Sequence, residues 1–335
     1  MDMEKNYQLK TIETHTAGEP TRILISGINL FPFYGRSVSE QRDLFADRYD
    51  EIRELLMKEP RGHDDMFGAV PVKTEMEEAD MGVIFMQTTG YLDMCGHGTI
   101  GIVTALMETS FLPEKEIINI ETPAGLVECR TMIEEDKVKQ VSVKNVESFV
   151  IGKKKVEIEI EEINSSVEID LVYSGNLVGL VDVKDLGYTV DIDELEILKK
   201  IGIDLRNRLN EENDFINPLT GNREEVSLLE FYESRDDVDR NIVVFADGSI
   251  DRSPCGTGTC AKMTLLHDKG ILDIGEEYPY QSIIGTEFSG RIVDTEKKQG
   301  ITVVKPEITG SAYITGRSTF ILDPGDPLTG FSLYK

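Results

Sequence analysis

The chain has 335 residues, room for two cores, and 40% of them are apolar, yet no run nears the roughly 18 apolar residues of a membrane span. Its 35 basic and 62 acidic residues leave a formal charge of -27, which argues against nucleic acid or an anionic membrane as partner, since both need clustered Lys and Arg. Four cysteines, Cys95, Cys129, Cys255 and Cys260, are too few for a disulfide framework, and no tight pair has structural-zinc spacing, so no metal is expected.

The first residues, Met1-Asp-Met-Glu-Lys-Asn-Tyr7, carry no apolar stretch of the secretory kind, so a cytoplasmic protein is expected. Residues 9–14 and 21–26 read as short strands around the turn Ala17-Gly18-Glu19-Pro20. A helix is predicted over 37–59, where Leu44, Phe45, Tyr49, Ile52, Leu55 and Leu56 share one face. Residues 82–86 suit a buried strand leading toward Cys95. From 96 to 108 the chain is apolar almost all round, and a helix without a polar face is one surrounded by protein. Strand-like pieces follow at 117–120, 125–129 and 138–143.

Residues 148–174 are where a first half hands over to a second, and there Val156, Ile158 and Ile160 alternate with charges as in half-exposed strands. A helical stripe of Leu195, Leu198, Ile201, Leu205 and Leu209 predicts a helix over 192–209. An apolar strand at 241–246 turns at Asp247-Gly248 toward a second buried helix over 256–267. That helix start repeats the first: Cys95-Gly-His-Gly-Thr99 and Cys255-Gly-Thr-Gly-Thr259 share C-G-x-G-T, each after a strand and each opening a helix. The repeat predicts two like-folded halves facing each other.

Inverting an α-carbon means removing a weakly acidic proton from one face and returning one to the other. Two cysteines do this without a swinging base, because a helix N-terminus brings a thiol near working pH. Gly96, Gly98, Gly256 and Gly258 bare the first-turn backbone, whose unpaired N–H groups suit a carboxylate without any Lys or Arg. His97 is placed to meet the substrate carboxylate or amine, and Asp251 to hold a cationic amine. Cys129 and Cys260 lack the glycine context and read as packing residues. A cysteine hydrolase would leave the second C-G-x-G-T without a role, and a binding module would not need two thiols.

These residues resemble the proline racemase family. The resemblance is carried by Met94-Cys-Gly-His-Gly-Thr-Ile-Gly101 and Asp251-Arg-Ser-Pro-Cys-Gly-Thr-Gly-Thr259, with support from Thr14-His-Thr-Ala-Gly-Glu19, Glu59-Pro-Arg-Gly-His-Asp-Asp-Met-Phe67 and Ile308-Thr-Gly-Ser-Ala-Tyr-Ile-Thr-Gly316. It implies the α/β diaminopimelate epimerase-like fold, two pseudo-symmetric halves that each wrap strands around a central helix. The halves are expected at residues 1–147, joined by a returning segment at about 312–335, and at 148–311. The resemblance further implies a cofactor-independent proline racemase, a homodimer with Cys95 and Cys255 as the two bases. The backbone of Gly96, His97, Gly256 and Thr257 would bind the carboxylate, with His97 and Asp251 at the imino nitrogen. Phe67 and Phe245 fall where proline racemases wall in an apolar ring, which favours proline over 4-hydroxyproline, the substrate of related 2-epimerases. The trans-3-hydroxyproline dehydratases carry threonine where this chain has Cys255. Which cysteine rests as the thiolate stays open.

Overall fold

The structure, a computed structural model, describes residues 7–160, 163–245 and 248–333. It divides into two compact units, Met1–Val143 with Gly310–Lys335, and Lys144–Thr309. Residues 1–6, on which the N-terminal expectation rests, lie outside the described residues. So do Glu161 and Glu162 of the hand-over region, and Ala246 and Asp247 of the predicted strand end and turn.

In unit 1, β1 (Tyr7–Thr16) and β2 (Glu19–Ser26) form a hairpin turned by Ala17 and Gly18, both at positive φ. Then comes α1 (Val38–Met57). Its start is a capping box: the Ser37 side chain accepts from Glu40 N while the Glu40 carboxylate accepts from Ser37 N, a device that stabilises by about 1 kcal/mol. Next are β3 (Phe67–Val72), β4 (Met81–Gln87), β5 (Gly90–Leu92), α2 (Gly96–Glu108), β6 (Ile117–Thr122), β7 (Gly125–Glu134) and β8 (Lys137–Lys144). α1 covers β3, β4 and β6 over a core that includes Leu9, Phe33, Phe45, Ile52 and Met86. α2 packs against β1, β2, β3 and the C-terminal strand Ala312–Leu322. Every residue from Gly96 to Met107 is buried, which is why the helix could dispense with a polar face.

In unit 2, β9 (Phe149–Ile160) and β10 (Ile163–Tyr173) form a long hairpin, with Val156 and Ile158 buried between exposed Lys155 and Glu157. β11 (Leu177–Asp182) leads to α3 (Leu195–Glu212). The helix predicted over 192–209 splits here: the Asp191 side chain accepts from Asp193 N, a tight cap that closes Ile192–Glu194 as a 3-10 turn before α3 begins. A small ribbon of β12 (Phe215–Ile216) and β13 (Arg223–Glu224) precedes β14 (Val226–Glu233), β15 (Asp239–Phe245), α4 (Gly256–Asp268), β16 (Glu277–Ser282), β17 (Glu287–Lys298) and β18 (Ile301–Gly310).

The two units share one strand plan. In unit 1 the C-terminal strand pairs antiparallel with β1, β1 antiparallel with β2, β2 parallel with β3, β3 antiparallel with β4, β4 parallel with β6, and β6, β7 and β8 antiparallel in turn. In unit 2 the same series of senses runs β9, β10, β11, β14, β15, β16, β17, β18. α1 and α3 occupy the same step of the series, and so do α2 and α4. This is the α/β architecture of two like halves, each with strands around a central helix, that the resemblance implies. Among the described residues no helix is long and apolar enough to cross a membrane.

Candidate active site

In unit 1, β5 ends at Leu92 and the chain enters α2 through Cys95, the N-cap, with ordinary extended backbone (φ -147°, ψ 111°). Thr99 ties the turn down, its N–H and hydroxyl both donating to the Cys95 carbonyl at 2.9 and 2.8 Å. The Cys95 thiol is buried and lies 3.5 and 3.6 Å from the two ring nitrogens of His97. His97 is itself buried, so its ring is packed rather than solvated. Burial lowers its pKa to about 3, leaving a neutral imidazole beside the thiol. Phe67 meets that ring edge-on at 4.7 Å, and Thr16 donates to the His97 carbonyl at 2.9 Å. Phe67, Cys95, Gly96 and His97 therefore form one local group.

In unit 2, β15 ends at Phe245, whose N–H donates to the Ser249 carbonyl, and Asp251 N donates back to Val243. The buried Asp251 carboxylate accepts from the N–H and hydroxyl of Ser253 at 2.8 and 2.7 Å, and the Ser253 hydroxyl accepts from Cys255 N. Asn241 holds the Pro254 carbonyl at 2.7 Å. This mesh presents Cys255 at φ +58° and ψ 117°, outside the left-handed well, a conformation that costs a non-glycine residue of order 1–3 kcal/mol and persists only where its surroundings over-determine it. Cys255 caps α4, accepting from Gly258 N through Sγ at 3.4 Å. Asp251, Cys255, Gly256 and Thr257 are all buried here, with Phe245 at the strand end just before them.

The two thiols differ in surroundings. A helix end is expected to lower a cysteine pKa, yet Cys255 is pushed well above the ordinary thiol value. Burial leads, the Asp251 carboxylate adds to it, and the Gly258 N–H opposes them and is outweighed. Asp251 is itself raised by burial, against the lowering hydrogen bonds from Ser253. Among the described residues no group donates a hydrogen bond to Asp251 Oδ2 within bonding distance, which leaves an acceptor for a ligand cation. Cys129, in β7, and Cys260, in α4, are fully buried and raised by burial, Cys260 to about 12, as suits inert packing thiols.

Against Gly258, in the first turn of α4, lies Glu230 of β14, a buried residue the sequence did not single out, together with its neighbours Tyr280 of β16 and Lys262 of α4, also buried. The one legible signal was Lys262, a charge inside a helix otherwise expected to be enclosed. Its ammonium lies 3.0 Å from the centre of the Tyr232 ring, and burial lowers its pKa.

The model of a family described as proline racemase matches residues 11–332. A proline racemase of Acetoanaerobium sticklandii is 40% identical over 338 residues, covering 99% of this chain and 100% of the relative. A 4-hydroxyproline 2-epimerase of Streptosporangium roseum is 35% identical over 328 residues, covering 96% and 97%. The crystal structure of a hydroxyproline epimerase from Agrobacterium vitis with bound trans-4-hydroxy-L-proline superposes with a TM-score of 0.87 at 28% identity, covering 98% of this chain and 96% of that one.

Proposed function

Since the chain belongs to the proline racemase family and is an isomerase of the racemase kind, we propose that it interconverts L- and D-proline with Cys95 and Cys255 as paired acid and base. One thiolate removes the α-proton while the other thiol returns a proton to the opposite face. The N–H groups of Gly96, His97, Gly256 and Thr257 hold the substrate carboxylate, being first-turn amides with no partner inside their helices. They also stabilise the negative charge that spreads into that carboxylate as the α-proton leaves. Asp251 meets the amine through Oδ2, and neutral His97 adds a polar contact without a competing positive charge. Phe67 and Phe245 wall the ring. No cofactor is required, because thiols and helix ends supply every role.

One observation carries this reading: a cysteine stands at the N-cap of the equivalent buried helix in two units of the same strand plan. A hydroxyproline 2-epimerase is the second reading, supported by the Streptosporangium roseum and Agrobacterium vitis relatives. Against it, a phenylalanine wall at Phe245 leaves a ring hydroxyl unpaired, at a cost of roughly 1–3 kcal/mol. Dehydration is disfavoured by Cys255 itself.

The test is chiral analysis of L-proline and trans-4-hydroxy-L-proline incubated with purified protein. Proline is expected to be inverted in preference to its hydroxylated relative. Cys255→Thr is expected to lower racemisation by at least roughly 10²–10⁴-fold, since threonine cannot exchange a proton at the α-carbon from that side. Near-normal turnover by this variant refutes the two-base reading.

A further inference from the structure

The reaction as proposed gives no task to the buried group under α4. Glu230 is fully buried and accepts from the Tyr280 hydroxyl at 2.5 Å through Oε1. Among the described residues its Oε2 has no hydrogen-bond partner. That free oxygen lies against Gly258: a Cβ built there would stand 2.2 Å from Glu230 Oε2 and 3.3 Å from Cys255 Cβ. The Gly258 N–H donates to Cys255 Sγ. One glycine thus touches both the carboxyl and the cysteine.

The placement works against the helix. Free amides at a helix start favour a negative sulfur, whereas a carboxylate packed under the same turn opposes one. A buried carboxylate with one oxygen unsatisfied is costly to keep, and a glutamine of the same shape would accept from Tyr280 equally well. The charge is therefore the property to account for.

We propose that Glu230 is a positioning residue whose carboxylate adds to burial and Asp251 in keeping the proton on Cys255 Sγ. Before substrate binds, Cys255 is then the thiol and Cys95 supplies the base; this last step rests on the two-base reading, whereas the effect of Glu230 on Cys255 does not. The groups facing the cysteine are Asp251 from its own loop and Glu230 from β14, both raising its pKa, and the Gly258 N–H, lowering it. Glu230 in turn faces Tyr280 of β16, Asn241 of β15, Lys262 of α4 and Asp251. Lys262 is the cation among them.

The test titrates Cys255 by ultraviolet thiolate absorbance, as a difference against the same protein carrying Cys255→Ala. In the unsubstituted protein the half-point is expected above the ordinary thiol value of about 8.5. Glu230→Gln is expected to bring it down by about one pH unit or more, roughly a tenfold gain in thiolate at any pH below it. Glu230→Met removes the same charge without an amide and should shift the half-point the same way. An unchanged half-point in folded Glu230→Gln overturns the inference, and if that variant does not fold, an unchanged half-point in Glu230→Met does so. A half-point at or below the ordinary thiol value in the unsubstituted protein overturns it whatever the variants do. None of these titrations depends on turnover, so they separate this inference from the two-base reading, which Cys255→Thr tests.

Discussion

Gly258→Ala isolates the closeness on which the second cysteine depends. Alanine in a helix normally stabilises by about 1 kcal/mol relative to glycine, so on propensity alone the variant should be the more stable protein. The new Cβ, however, would sit 2.2 Å from Glu230 Oε2, about 1 Å inside the closest distance such atoms tolerate. Glu230 has little room to retreat, being fully buried and tied to Tyr280. Overpacking of this kind costs roughly 1–3 kcal/mol, which exceeds the propensity gain over most of that range. The start of α4 must move with Cys255, and a misplacement near 1 Å lowers turnover by about 10²-fold. Gly98→Ala is the control: its Cβ would meet Cys95 Sγ and Phe85 at 3.0 Å, a contact relieved by a few tenths of an ångström. Urea unfolding and proline racemisation on both variants check this. A Gly258→Ala protein as stable and active as the parent, or one less affected than Gly98→Ala, refutes the reasoning.

Two further outcomes are expected. The His97 imidazole titrates near 6.5 in the unfolded chain but only at about 3 when buried, so the unfolded state takes up the proton first. Stability is therefore lost as pH falls from 6.5 toward 3, by of order 5 kcal/mol at the lower end. His97→Gln, with no proton to accept, should lose less over that window, while the oppositely signed effects of Glu230 and Asp251 are common to both proteins. Equal acid dependence in denaturant titrations refutes the assignment. Phe245→Ser gives a ring hydroxyl a hydrogen-bond partner, and the kcat/KM ratio of trans-4-hydroxy-L-proline to proline should rise by roughly tenfold; an unmoved ratio takes Phe245 out of the substrate wall.

Much of this molecule could be read from its letters because the relevant signals are local. The apolar face from Leu44 to Leu56 predicts α1, and the unbroken apolar run after Cys95 gives α2 its observed bounds. The paired glycine turns mark both cysteines before any coordinate is known. Glu230 was not legible, since an acidic residue in a strand is ordinarily a solvated one. Its burial is made jointly by β16 and α4, which lie far along the chain. The positive-φ backbone at Cys255 was equally hidden: a cysteine has no preference for it, and the mesh of Asp251, Ser253 and Asn241 imposes it. The raised thiol pKa was hidden too, because its leading cause is burial and one of the two carboxyls that add to it, Glu230, comes from a distant strand.

The strand plan also bears on how the protein is made. In unit 2 every strand of the series comes from one continuous stretch, β9 to β18. In unit 1 the first place is filled by Ala312–Leu322, paired along β1 from Tyr7↔Leu322 to Thr16↔Ala312. A chain leaving the ribosome N-terminus first presents β1 and its Cys95 helix early, but their sheet lacks an edge until the final residues arrive. Unit 2 has all its strands before unit 1 does. The half synthesised first is thus the half completed last, and α2, apolar on every side, must wait through synthesis of the whole second unit for the strand that finishes its enclosure.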